Sequence, residues 1–365
     1  MSPHRPRTVV CHDYFAIRGG GERLAITLAH ALDATLVFGF RNAETYDLDL
    51  FPLDRVDLRL PSLLQTQQIR VGALALRFAS ARRVIRNYDL RIFAGTAAPL
   101  AAPRKGDGFN VYYCHTPPRF LYDQKHHFSV SGRASILRGI ALETYRKAYL
   151  NAVDRMDVVI ANSRTVQARI REYLGRDSEV VYPPCDTSRF VWRGQGDYYL
   201  STARLGALKR VDRIVDAFRE MPDRTLVVAS GGEQIDALRK RAEGYANIHI
   251  LGWVSEERLN DLMGNAIATI YVPVNEDFGM SPVESMSAGK PVIGVAEGGL
   301  RETIVPGETG ILLDPDPSAV DIAAAVRTLT PERAMAMRSA CEQRAQLFSE
   351  TVFIDRMREV TGHGP

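Results

Sequence analysis

Two carboxylates and two cations stand out by their spacing. Glu276 and Glu284 have seven residues between them in Asn275-Glu276-Asp277-Phe278-Gly279-Met280-Ser281-Pro282-Val283-Glu284-Ser285-Met286-Ser287-Ala288-Gly289. Ser281 suits an N-cap, Pro282 the first helical position and Gly289 the stop, which predicts a short helix from Pro282 to about Ala288. Glu276 then occupies the loop leaving a strand and Glu284 the first helical turn, with backbone N–H groups between them. Carboxylates accept hydrogen bonds from hydroxyls, and the free amides of a helix start favour anionic oxygen, so the combination suits a sugar joined to a phosphate. Read without context, the pair is one dipole-complementing glutamate and one solvated one.

Arg204 and Lys209, five positions apart in Ser201-Thr202-Ala203-Arg204-Leu205-Gly206-Ala207-Leu208-Lys209-Arg210, are a fork and a point charge that can embrace a diphosphate. Arg18-Gly19-Gly20-Gly21-Glu22-Arg23 stands between a strand and a helix, where Gly20 and Gly21 permit close backbone approach to an anion or form a plain turn. His115 ends the strand Val111-Tyr112-Tyr113-Cys114 and is either a structural imidazole or a ligand contact. Asp47-Leu48-Asp49 and Asp314-Pro315-Asp316 have the spacing of a metal-holding pair but the setting of solvated turns, so no essential metal is expected.

Strand-like runs position these residues. They recur at Thr8–Phe15, Ala34–Phe40, Val56–Leu60, Leu90–Ala94, Phe109–His115, Met156–Asn162 and Glu179–Tyr182, and, beyond Pro183-Pro184, at Tyr198–Ala203, Thr225–Ser230, Ile248–Val254, Ile267–Val274, Pro291–Ala296 and Gly310–Leu313. Helix-compatible stretches separate them, which is the alternation of a parallel sheet covered on both faces. The expected fold class is α/β with two doubly wound, Rossmann-like domains in tandem, their strand ends turned toward a common cleft. Domains are expected at 1–184 and 185–345, with 346–365 a helix returning toward the first.

The chain's 365 residues suit two domains of roughly 150. With 45% apolar and 24% charged residues, disorder, collagen-like and coiled-coil readings fail. Forty-six basic against forty-three acidic residues leave +3, too little to drive nucleic-acid binding. Cys11, Cys114, Cys185 and Cys341 form no C-x-x-C pair and fit a reducing cytosol. Met1–Arg7 lacks the apolar run of an export signal, and no run approaches the ~20 residues of a spanning helix, so a cytoplasmic protein is expected. Arg70, Arg77, Arg82, Arg83, Arg86 and Arg91, interleaved with Val71, Leu74, Leu76, Phe78, Val84 and Ile85, read equally as a helix lying on an anionic membrane and as a core helix with a basic outer face.

The string from Asn275 to Gly289, with Gly289-Lys290-Pro291-Val292-Ile293-Gly294 and Gly298-Gly299 after it, resembles the retaining GT-B glycosyltransferases of family 4, whose signature is two glutamates separated by seven residues. The resemblance implies a GT-B fold and a nucleotide-sugar donor, with no cofactor. By it, Glu276 contacts the transferred sugar and stabilises positive charge at its anomeric carbon, the amides around Phe278, Gly279 and Met280 hold sugar hydroxyls, and Glu284 binds the ribose. Arg204 and Lys209 fall in its phosphate-binding segment, Gly20 and Gly21 near the donor phosphates, His115 on the donor sugar, and Trp253-Val254 by the base.

His115-Thr116-Pro117-Pro118-Arg119-Phe120-Leu121-Tyr122 looks most like bacterial mannosyltransferases of O-antigen or exopolysaccharide assembly, which implies GDP-mannose and a saccharide or lipid-linked saccharide acceptor. A UDP-sugar transferase, a sugar-nucleotide epimerase and a nucleotide-sugar-binding subunit without catalysis stay open as alternatives.

Overall fold

Strands covered on both faces cannot alternate polar with apolar, and Thr8–His12 (TVVCH) is buried at every position. In the computed structural model, which describes residues 6–17, 19–43, 45–66, 69–122 and 133–362, such strands form parallel sheets in two compact units. One unit is Met1–Pro183 with Ile354–Pro365, the other Pro184–Phe353. Arg18 and residues 1–5, part of the stretch read as carrying no export signal, lie outside the described residues.

The first sheet runs β3-β2-β1-β4-β5-β6-β7, from β1 (Thr8–His12), β2 (Thr35–Phe38), β3 (Arg55–Asp57), β4 (Leu90–Ala94), β5 (Phe109–Cys114), β6 (Val158–Ala161) and β7 (Glu179–Val180). Val9 lies opposite Thr35 on one side and Arg91 on the other, so the chain reverses its direction of travel across the sheet between β1 and β4. The crevice at such a reversal is where doubly wound sheets take ligands. A core of Val9, Val37, Phe78, Phe93, Tyr112 and Tyr149 backs this region. The helix Arg164–Leu174 shows the local logic of the connections: Ser163 Oγ accepts from Val166 N at 3.1 Å, and Gly175 at φ +63° stops the helix.

The second sheet repeats the order as β10-β9-β8-β11-β12-β13, from β8 (Tyr198–Ser201), β9 (Thr225–Val228), β10 (Ile248–Ile250), β11 (Thr269–Ile270), β12 (Val292–Val295) and β13 (Gly310–Leu313). Its reversal lies between β8 and β11. This unit runs on to Phe353 rather than to 345, because Phe348 is pinned inside it: Cys185 N donates to Phe348 O at 2.9 Å, and the ring meets Phe278 with centroids 5.5 Å apart. The last helix, Glu350–Thr361, passes from the second unit into the residues grouped with the first.

The arginine-rich stretch divides in two. The helix Arg70–Ile85 buries Leu74, Phe78 and Ile85 and leaves Leu76 and Val84 74% and 56% exposed. Arg91 does not belong to its surface, because β4 carries it inward to full burial. Its guanidinium donates to Ile85 O at 3.0 Å, Arg86 O at 2.8 Å, Asn110 Oδ1 at 3.1 Å and Asp107 O. Arg91→Leu strands those acceptors without a donor, and we expect a loss of about 3 kcal/mol in urea unfolding; a loss below about 1 kcal/mol would contradict this account.

Candidate functional site

A parallel strand ends in carbonyls that its neighbours do not answer. In the second unit one side chain answers several of them. Arg210, 5% exposed, donates from Nε to Val272 O at 2.9 Å and from Nη2 to Pro273 O at 2.6 Å and Pro315 O at 2.8 Å. Its Nη1 reaches Asp316 Oδ1 at 2.9 Å, and Arg213 binds the same oxygen at 2.6 Å, so the second Asp-x-Asp string serves an ion-pair network. Arg210 adopts φ +51°, which turns the chain sharply out of the 3₁₀ turn Ala207–Lys209. Val274 N donates to Leu208 O at 2.8 Å, tying the loop after β11 to the loop after β8.

Those ties bring Lys209 and Glu276 together. Lys209 Nζ meets Glu276 Oε2 directly and donates to Tyr271 Oη at 2.8 Å, while Tyr271 Oη donates to the same carboxylate oxygen at 2.9 Å. Arg204 stands exposed on the preceding turn, where Gly206 N donates to its carbonyl at 2.8 Å.

The loop bearing Glu276 rests on Glu297-Gly298-Gly299. Asn275, at φ +50°, donates its N–H to Glu297 Oε2 at 2.8 Å, and Gly299 N donates to Glu276 O at 3.0 Å. A Cβ on Gly298 (φ +58°) would collide with the Glu276 carbonyl and one on Gly299 with Phe278 Cα, so only glycine fits either position.

The signature helix begins earlier than expected, at Met280, and runs to Ser287. Gly279, in the left-handed region at φ +87°, is its N-cap, so Ser281 lies in the first turn and Glu284 in the second. Gly289 at φ +69° follows its end. Met280, Ser281 and Val283 supply first-turn amides, Pro282 none. Phe278 is 3% exposed, its ring packed against Phe348. Past β10, Val254 packs its side chain against a core of Phe190, Leu200 and Val227, whereas the Trp253 indole lies on Gly231 and is 73% exposed.

The first unit holds a separate group. Asp13, 8% exposed after β1, answers amides as Arg210 answers carbonyls, accepting from Thr96 N and Oγ1 at 2.8 and 3.0 Å, Ala97 N at 2.9 Å and Ala98 N at 2.8 Å. The helix Gly20–Ala31 starts beside it, with Glu22 in its first turn. A Cβ on Gly21 would stand 3.3 Å from His115 Nε2, so a side chain there would crowd the imidazole. That Nε2 is shielded from solvent and has no hydrogen-bond partner among the described residues. Burial, then the neighbouring His12 with ring centroid 6.4 Å away, depresses His115 to about 3, and burial depresses His12 to about 4, so both rings are neutral at pH 7. Burial and, more weakly, Asp13 raise Glu22 to about 7.

Thus the structure gathers Lys209 and Glu276 in one unit and His115 and Gly21 in the other. Tyr271, Arg210, Glu297, Asp13 and Glu22 escaped the sequence reading. Tyr271 sits within an apolar strand run that gives no hint of its hydroxyl's partners, while Glu22 and Arg210 were visible beside the chosen residues.

Residues 18–189 match the model for Glycosyltransferase Family 4 and residues 187–348 the model for Glycosyl transferases group 1. The chain is 25% identical over 253 residues to the alpha-1,3/1,6-mannosyltransferase ALG2 of Dictyostelium discoideum, covering 56% of this chain and 58% of that protein. It spans about half the length of the curated relatives it matches, 47% for the Saccharomyces cerevisiae ALG2. In fold it is similar to Anabaena Alr3699/HepE in complex with UDP and glucose (TM-score 0.76, 19% identity, 97% of this chain and 99% of that one). It is similar also to sucrose-phosphate synthase of Thermosynechococcus elongatus (TM-score 0.78, 18% identity, 97% and 98%).

The imidazole makes a testable contribution to stability. An unfolded histidine takes a proton near 6.5 and the folded His115 only near 3, so acidification through that window favours the unfolded chain. His115→Gln removes this penalty, and we expect the stability of wild type relative to the variant to fall as pH drops from about 7 to 4 in urea unfolding. A constant difference would show that His115 takes up a proton as readily in the fold as in the unfolded chain.

Proposed function

The chain belongs to glycosyltransferase family 4, and on that premise we propose that it moves a sugar from a nucleotide-sugar donor to a saccharide or lipid-linked saccharide acceptor with retention of configuration. The observation that carries this reading is the convergence of Lys209 and Glu276 at the reversal of the second sheet, with Arg204 exposed on the adjoining turn.

In this reading Arg204 and Lys209 take the charge that grows on the diphosphate as the bond from the anomeric carbon breaks. Glu276 faces the positive charge at that carbon, the amides from Phe278 to Met280 hold sugar hydroxyls, and Glu284 takes the ribose. The acceptor hydroxyl bonds to the carbon on the face the diphosphate leaves, and its proton passes to the departing phosphate oxygen. His115, neutral, hydrogen-bonds the sugar, and the Gly20-Gly21 helix start lies by the phosphates. The base sits beside Trp253 and Val254. No metal takes part.

Mannose from GDP-mannose is the proposed donor, supported by the His115–Tyr122 string and by likeness to proteins named as mannosyltransferases. Glucose from UDP is the second reading, since the similar HepE structure holds UDP and glucose. Among the described residues no helix is long and apolar enough to cross a membrane. Contact with an anionic membrane is proposed through the helix Arg70–Ile85, where Leu76 and Arg83, and Arg77 and Val84, stack along one exposed side two turns apart.

Calorimetric titration with GDP, UDP and ADP, followed by transfer assays with the matching donors, tests the activity. GDP preference is expected; conversion of the donor without any added acceptor, or donor binding without turnover, removes the transferase reading in favour of an epimerase or a binding subunit. Glu276→Ala should lower turnover roughly a hundredfold, and near-normal turnover would remove its role. Co-sedimentation should rise with phosphatidylglycerol content over pure phosphatidylcholine vesicles and fall in salt; indifference to anionic lipid would end the membrane proposal.

A further inference from the structure

Tyr271 follows β11 with its hydroxyl between the two side chains assigned to opposite parts of the donor. It accepts from Lys209 Nζ at 2.8 Å and donates to Glu276 Oε2 at 2.9 Å, and the same lysine meets that same oxygen directly. The tyrosine is 5% exposed, and the ammonium stands 5.2 Å from its ring centroid. Lys209 and Glu276 keep 27% and 21% of their side-chain surface, so a ligand can reach both. Burial, then the carboxylates of Glu276, Glu284 and Asp277, holds the phenol far above its ordinary range, which keeps it a proton donor at any working pH.

A diphosphate that recruits Lys209 competes with a carboxylate already in contact with it. The lysine has a flexible four-carbon stem and can turn. The tyrosine, wedged into the sheet, cannot follow. Glu276 would then lose its counter-charge as it is needed beneath the sugar, and one fixed donor remains on its Oε2.

We propose that Tyr271 is a positioning residue of the donor site, its hydroxyl keeping the Glu276 carboxylate aimed while Lys209 is drawn from that carboxylate to the diphosphate. Phosphate capture and release of the carboxylate toward the sugar thereby become one event. The inference rests on the donor assignments proposed above.

Calorimetry with a nucleoside diphosphate and with the intact nucleotide-sugar tests it on wild type, Tyr271→Phe and Glu276→Gln, with thermal melts to confirm folding. Tyr271→Phe should bind the bare diphosphate within about twofold of wild type, bind the nucleotide-sugar about fivefold more weakly and lose about tenfold in kcat. Glu276→Gln, which frees Lys209, should bind the bare diphosphate about threefold more tightly than wild type. Equal affinity of wild type and Tyr271→Phe for the nucleotide-sugar overturns the proposal, as does weaker diphosphate binding by Glu276→Gln. Parallel losses in both ligands and in melting temperature also overturn it, because they mean that Tyr271 only fills space. If wild type binds donor but transfers its sugar to no acceptor, the proposed activity falls and the binding comparison still decides the role of Tyr271; if it binds neither ligand, both fall.

Discussion

A parallel sheet leaves its last carbonyls and the first amides of the following turns without partners, and both units meet this constraint with a buried charge. In the second, the Arg210 guanidinium collects the carbonyls of Val272, Pro273 and Pro315. In the first, the Asp13 carboxylate collects the amides of Thr96, Ala97 and Ala98. Each charge is worth burying only because it is surrounded by hydrogen-bonding partners, and in return it fixes several loops in one arrangement. The side chains of the candidate site project from loops held in this way.

In the second unit the consequence is a short chain of cause. Arg210 holds the backbone that leaves β11 and adjoins Lys209 in sequence, so one anchor governs the bearings of both the ammonium and the carboxylate. Gly298 and Gly299 let a second loop pass beneath Glu276 without a side chain in between, and Glu297 takes the amide of Asn275 in its left-handed turn. The loops bearing Lys209 and Glu276 are therefore held by backbone contacts, while both of these side chains remain reachable beside the buried Tyr271.

The first unit is tuned differently. His12 and His115 are shielded enough to stay neutral, and Glu22 in the first turn of the helix Gly20–Ala31 titrates near neutrality. A neutral imidazole with an unanswered Nε2 suits hydroxyl recognition rather than charge neutralisation. The cations that would meet phosphate lie in the other unit, with Arg204 and Lys209.

Much of this was legible in the residue string. Apolar runs with period-breaking loops gave both sheets almost strand for strand, because a strand buried on both faces leaves an uninterrupted apolar record. Glu276, Arg204 and His115 were readable because each stands just after such a run, and Glu284 and Lys209 because of their spacing from the first two. Helix punctuation was read less well: Ser281-Pro282 looks like a start, but the left-handed freedom of Gly279 opened the helix earlier. The arginine stretch appeared uniform, yet Arg91 turned inward because strand pairing, not charge, set its direction. Only the tertiary structure could decide that Lys209, Tyr271 and Glu276 meet. Their contact depends on the registration of loops from two neighbouring strands sixty-odd residues apart in the chain. Sequence spacing specifies which residues stand at strand ends, but the distances between those ends are set by how the strands are ordered and anchored in the sheet.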